Sequence, residues 1–243
     1  MTRVIAVTAG LGAILLVAFS QAAERDSGEL PAVRAPARAT PPEVRSGGEH
    51  PGAVETHVSP IRWRPSRPLG EPFEGRLVRG VQLPAAGPGY LTWDPILERR
   101  PNRGWRRWGT DHLLRVLLRV VRRFHAAHPA APRLLVGDLS RRHGGDFGPR
   151  FGGIGHASHQ NGLDVDIYYP RRDHRPLAPR APGQVDRRLS QALVDHFVRA
   201  GAQYVFVGPS IPLRGPRRVV MPLVNHDDHI HVRLHNPLPP SLR

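Results

Sequence analysis

The sequence predicts an α+β domain with an antiparallel sheet core flanked by helices, on three observations. Segments of strand character outnumber helical ones, several of them follow one another directly, and only two stretches carry apolar residues at helical spacing. One core is the simplest count for 243 residues, because single domains commonly occupy about 100–200 residues.

The strand signals begin at residues 77–83 and 90–93, separated by a turn-forming stretch rich in Pro, Ala and Gly, and read as a hairpin. Over residues 99–108 basic and aromatic side chains interleave as they do on sugar or nucleic-acid surfaces. A loop that packs Trp105 and Trp108 against the core is the favoured reading, because tryptophan buries so much apolar area. Thr110 supplies an N-cap, and Leu113, Leu114, Leu117, Leu118, Val121 and Phe124 then recur on one helical face while arginines take other positions. That pattern predicts an amphipathic helix of about 15 residues, ending before Pro129. Residues 134–139, 162–169, 202–207 and 229–234 read as strands, and residues 186–200, closed by Gly201, as a second helix. The Arg- and Pro-rich residues 171–184 are expected to form a surface loop, and no internal repeat is visible.

The folded domain is expected over residues 66–243. Residues 1–23 have the form of a secretory signal: Arg3 gives a positive start, an apolar run follows from Val4 to Phe19, and Ser20, Gln21 and Ala22 lead to a cleavage point. The run is short against the roughly 20 apolar residues that span a bilayer, so export is expected rather than stable membrane insertion. Residues 24–65 are dominated by Pro, Ala, Arg, Glu, Gly and Ser, a composition that cannot bury enough surface to offset ordering entropy, and read as a disordered linker.

The chain has no cysteine, which excludes thiol catalysis, thiolate metal ligands and disulfides together. All 35 basic side chains are arginine and the formal net charge is +15. Such a field favours anionic partners, and outside the cytoplasm anionic wall polymers or lipid head groups fit better than nucleic acid. No DNA-reading motif accompanies the charge, so no nucleic-acid partner is expected. Arginine used in place of lysine is also what coding bias produces, so charge alone does not name the substrate.

Chemistry concentrates in two short segments, residues 155–169 and 225–233, which hold five histidines. His159 lies in a loop, and Asp166 lies seven residues on, in a strand where Val165 and Ile167 face the other way. Gly162 lets the chain turn between them. His229 and His231 are two apart, so on a strand both emerge on one face while Ile230 and Val232 face the core. Two imidazoles and a carboxylate meet the demand of a catalytic zinc, which takes three protein ligands and leaves a fourth position open. Such ligands need acceptors to fix their tautomers, and Asp164, Asp227 and Asp228 are the candidates. His143, His174, His196 and His235 stand outside these patterns and are expected to be structural. Arg141 and Arg142, just past a strand end, could hold a substrate carboxylate bidentately, or could belong to the arginine-rich surface.

The string His156-Ala-Ser-His159-Gln-Asn-Gly-Leu-Asp-Val-Asp166-Ile, preceded by Val136-Gly-Asp-Leu-Ser and Gly144-Gly and followed by His226-Asp-Asp-His229-Ile-His231-Val-Arg233, resembles the penicillin-insensitive murein endopeptidases. That family sits in the wider group of lysostaphin-type peptidases, D-Ala-D-Ala metallopeptidases and the hedgehog domain, so the resemblance implies a hedgehog or D-Ala-D-Ala-peptidase-like fold. It implies zinc held by His159, Asp166 and His231, with His229 and His226 beside it as general base or transition-state stabiliser. His156 matches a position that can hold an additional ion, though no aspartate and histidine pair downstream completes such a second site. The implied substrate is the peptide cross-link of peptidoglycan stem peptides, of D-Ala to diaminopimelate type. A serine nucleophile is not required, which would explain insensitivity to β-lactams. A D-Ala-D-Ala dipeptidase or carboxypeptidase, and a non-catalytic zinc-containing wall-binding module, are the alternatives. The lack of a glutamate near the last ligand favours the endopeptidase, and retention of both extra histidines argues against a decayed module.

Overall fold

A computed structural model describes residues 60–148 and 156–238; the signal segment, nearly all of the linker and the last five residues lie outside the described residues. The described residues form eleven strands and two α-helices. The strands are β1 (Arg67–Glu71), β2 (Glu74–Val78), β3 (Val81–Gln82), β4 (Ala86–Gly87), β5 (Tyr90–Thr92), β6 (Trp108–Gly109), β7 (Leu134–Val136), β8 (Asp164–Tyr168), β9 (Ala202–Val207), β10 (Val220–Pro222) and β11 (His229–Leu234), with helices α1 (Asp111–Ala127) and α2 (Arg187–Arg199). The architecture is mixed α+β, as the sequence predicts.

The main sheet has the order β10-β9-β11-β8-β7-β5-β4. Its centre, β9-β11-β8-β7, is antiparallel as expected, but β5 and β7 run parallel, as do β9 and β10. The sheet is therefore mixed. The departure at β5 and β7 follows from connectivity, because α1 crosses between them and a helical crossover returns the chain in the same direction.

Both helices form where the sequence places them. Thr110 accepts a hydrogen bond from the Leu113 N–H at 3.0 Å, and Asp186 does the same for Leu189, each satisfying an otherwise orphaned amide. Gly201 takes φ +81° just past α2. The α1 face that meets the sheet includes Val116 and Val120 as well as the predicted leucines. It packs, with Leu193, Val194 and Phe197 of α2, onto Val165, Ile167, Ile230 and Val232 of the sheet. Burial of such side chains contributes about 1.5–3 kcal/mol each.

The predicted hairpin of residues 77–83 with 90–93 does not form. Arg79 adopts φ +53°, which breaks the run into β2, paired with β1, and β3, paired with β6. Tyr90–Thr92 instead pairs with Ala86–Gly87 inside the stretch read as a turn. The strand expected over 134–139 stops at Val136, and residues 171–184 carry only a short 3-10 turn at Pro182–Gln184.

Candidate metal centre

β8 and β11 are antiparallel neighbours in a register that sets His231 directly opposite Asp166, His229 opposite Tyr168 and Arg233 opposite Asp164. Alternation does the rest. Val165, Ile167, Ile230 and Val232 point into the core, so Asp164, Asp166, His229, His231 and Arg233 share the other face. His159 reaches that face from a loop, in a left-handed backbone conformation (φ +69°) that a non-glycine residue adopts only under constraint. Two hydrogen bonds supply it: its N–H donates to Asp164 Oδ2 at 2.9 Å, and its Nδ1–H to the Leu139 carbonyl at 2.7 Å. Gly162, at φ +78°, makes the turn that leads back into β8.

The donor atoms converge. His159 Nε2 lies 3.3 Å from Asp166 Oδ1, His231 Nδ1 lies 3.2 Å from the same oxygen, and the two nitrogens are 3.2 Å apart. A tetrahedral ion with bonds of about 2.0–2.1 Å separates its ligands by about 3.3–3.4 Å, so this triangle has the dimensions of one face of a zinc site. Its protonation agrees. His159 spends its Nδ1 proton on Leu139, and His231 turns Nε2 toward Asp164 Oδ1 at 3.5 Å, leaving a lone pair on each nitrogen that faces the triangle. Asp166 Oδ1 is buried and has no hydrogen-bond donor among the described residues, a costly state for a carboxylate oxygen unless a cation compensates it.

Electrostatics points the same way. Burial pushes the His159 imidazole down, toward the neutral form that ligates. Burial would do the same to His231, but the Asp164 and Asp166 carboxylates outweigh it and raise His231 to about 9. Burial would raise Asp166, yet the surrounding His159 and His229 hold it well below the usual carboxylate range. The carboxylates thus favour positive charge at this point, whether a proton or a metal ion brings it.

His156, His159 and Asp166 each offer a donor atom within 4.8 Å of the others and could together hold a metal ion. The triangle that includes His231 is tighter, because His156 Nε2 donates to Asp138 Oδ2 at 2.7 Å and its Nδ1 stands 3.8 Å from Asp166 Oδ2. His229 directs Nε2 to within 3.8 Å of Asp166 Oδ1, while its Nδ1–H donates to Asp228 at 2.6 Å. Burial opposes the charged form of His229, but Asp166 and Asp228 prevail and raise its pKa. His226 stacks 4.7 Å from His229 and donates through Nδ1 to the Val224 carbonyl; burial and the neighbouring His229 lower its pKa.

Of the three acceptor candidates, Asp164 orients His159 and His231 and is itself held by Arg233, and Asp228 orients His229. Asp227 instead accepts from the Ser210 N–H. His143, His174 and His235 are exposed and His196 packs on Phe124, so none joins the cluster. Arg141 donates to the Asp146 carbonyl and Arg142 stacks over Trp108.

One residue of the site escapes a reading by motif. Arg106, within the stretch read as a loop that packs its tryptophans on the core, is wholly buried and grips Asp138 through Nε at 2.6 Å and through Nη2. Asp138, thereby held at about 2 against its burial by Arg106 and His156, tethers His156. Asp138 lies in the Val136-Gly-Asp-Leu-Ser string, which carried a signal; nothing local distinguishes Arg106 from the half-buried Arg103 and Arg107 beside it. Trp105 does pack inward, tilted on Phe147 at 6.0 Å.

The comparisons with known proteins give the family. Residues 68–199 match the model of the family described as penicillin-insensitive murein endopeptidase, a span that holds His156, His159 and Asp166 and ends before β11. Proteins carrying that name are also similar, two of them over longer stretches. One from Haemophilus influenzae is 30% identical over 73% of this chain and 70% of its own length, and one from Klebsiella pneumoniae is 29% identical over 70% of this chain and 66% of its own. A third, from Salmonella heidelberg, is 34% identical over 43% of this chain and 46% of its own. With most of the domain matched by the family's model, the chain belongs to the penicillin-insensitive murein endopeptidase family.

Proposed function

We propose that the protein is an exported zinc metalloendopeptidase that hydrolyses peptide cross-links, of D-Ala to diaminopimelate type, in peptidoglycan and so remodels the cell wall. The single observation that carries this reading is the triangle of His159 Nε2, Asp166 Oδ1 and His231 Nδ1, 3.2–3.3 Å on a side, in a member of a murein endopeptidase family. The signal-like residues 1–23 support export, and among the described residues no helix is long and apolar enough to cross a membrane. A fold of the hedgehog and D-Ala-D-Ala-peptidase kind accords with the mixed sheet that carries the donors on one face.

A zinc ion held by His159, Asp166 and His231 would supply Lewis acidity to the scissile carbonyl and acidify the attacking water. Asp164 fixes the His159 backbone and stands 3.5 Å from the outward nitrogen of His231, which favours the tautomer that turns Nδ1 to the metal position. His229, aligned by Asp228, presents Nε2 to the site, where it takes a proton from water and returns it to the leaving amine. His226 stacks against His229 and gives its Nδ1 proton to the Val224 carbonyl, so its Nε2 can act as an acceptor for a proton beside His229. Phe206, 5.5 Å from the His231 ring, shields it from bulk water.

The test is to incubate the purified protein with cross-linked muropeptide dimers, with and without a chelator, while counting bound metal. Monomer release that stops on chelation and returns with zinc is expected. Release that survives chelation would remove the metal mechanism, zinc bound without cleavage would make the chain a binding module, and release of terminal D-Ala alone would make it a carboxypeptidase.

A further inference from the structure

The catalytic face of the sheet continues past Asp166. Tyr168 lies two residues farther along β8 on the same side, about 7 Å on, directly across from His229 on β11 and from Leu135 on β7. Its ring stands 5.7 Å from the His229 ring and edge-on to Trp93 at 6.3 Å. From Tyr168 and Asp228 a cleft of about 970 Å³ runs away from the donor triangle, walled by Trp93, Leu177 and Ala178. That is room for several residues of an extended peptide, entering beside the proton-transferring histidine.

Tyr168 lines this cleft with 7% of its surface exposed, and no described residue makes a hydrogen bond with its hydroxyl. That oxygen is not sealed from solvent, so it is open to a ligand in the cleft. We propose that Tyr168 is a substrate-binding residue: its hydroxyl donates to a backbone carbonyl of an extended stem peptide lying in the cleft. Its ring and that of Trp93 form the wall that guides the strand to His229. This rests on the peptidase reading above. The cleft is lined by charges of both signs, Glu98, Asp227 and Asp228 with Arg171 and Arg180, so its polarity suits a peptide that carries amides and both kinds of charge.

Tyr168→Phe and Tyr168→Ala in the full chain test it, with two readouts. Dimer affinity is measured by calorimetry on metal-stripped protein, and kcat and KM on zinc-loaded protein. Tyr168→Phe should keep the metal content and unfolding temperature of the parent while weakening dimer affinity and raising KM by roughly 3- to 10-fold, the worth of one neutral hydrogen bond. Tyr168→Ala, which also removes the wall, should weaken both further. Parental affinity and KM in Tyr168→Phe would overturn the proposal. Hydrolysis that proves independent of metal, with dimer binding still weakened in Tyr168→Phe, would sink the zinc mechanism and leave this subsite standing.

Discussion

The two faces of the β8 and β11 pair are made from alternating residues of the same eleven positions, and they do opposite work. One face, Val165, Ile167, Ile230 and Val232, is wholly buried against α1 and α2 and contains no polar atom beyond the backbone. The other holds Asp164, Asp166, His229, His231 and Arg233, a set of charges that is costly to desolvate and is kept only because each member has a partner. The comparison shows how a fold separates stability from chemistry: the pleat puts apolar burial one residue away from a donor. The donor can then be held rigidly by a strand that the opposite face anchors.

The separation can be broken from either side. His231→Ala should have the largest effect, removing turnover and leaving roughly one bound metal ion or fewer per ten chains, while the unfolding midpoint of the metal-stripped protein changes little. Metal analysis and denaturation of the same samples check both halves. His229→Ala should reduce turnover by roughly 10²- to 10⁴-fold with metal content preserved; loss of the ion in that variant would place His229 among the ligands.

From the core side, Ile230→Ala should cost about 2–5 kcal/mol of stability, measured by urea titration. The molecules that stay folded should keep parental kcat, whereas a proportionate fall in kcat would show that the two faces are coupled. Asp164→Asn should weaken zinc affinity by roughly 10- to 100-fold, read by chelator competition.

The smallest effect is a pH dependence. Asp138 sits at about 2 in the folded protein, below its ordinary 3.8. The stability it contributes is complete above the unfolded value and is lost as pH falls from about 4 to about 2, on the order of 2 kcal/mol. Asp138→Asn should flatten that part of the stability profile, and an unchanged acid limb would exclude the assignment.

Much of the site was legible because its signals are local. The spacing of His229 and His231, and of Asp166 among Val165 and Ile167, encodes which side chains share a face once the segment is extended. The N-caps Thr110 and Asp186 are equally local. Strand partners were less legible. Residues 77–83 look like one apolar strand, yet Arg79 turns the chain there, and Leu77 and Val81 enter different sheets. A burial contest among all strands decides such pairings. Arg106 shows the same limit: it is one of five arginines among residues 99–107, and only the place of Asp138 in the fold selects it for this pairing.

The sequence by itself determined the two helices and the alternation along the central strands, because backbone stereochemistry fixes these within a few residues. Only the tertiary structure decided that His159 meets His231 across 72 residues, that His231 stands opposite Asp166 rather than one position away, and that Asp164 and Asp228 serve different histidines. Those outcomes depend on register, and register is set by which packing of the opposite faces buries the most apolar surface, a quantity that no short segment contains.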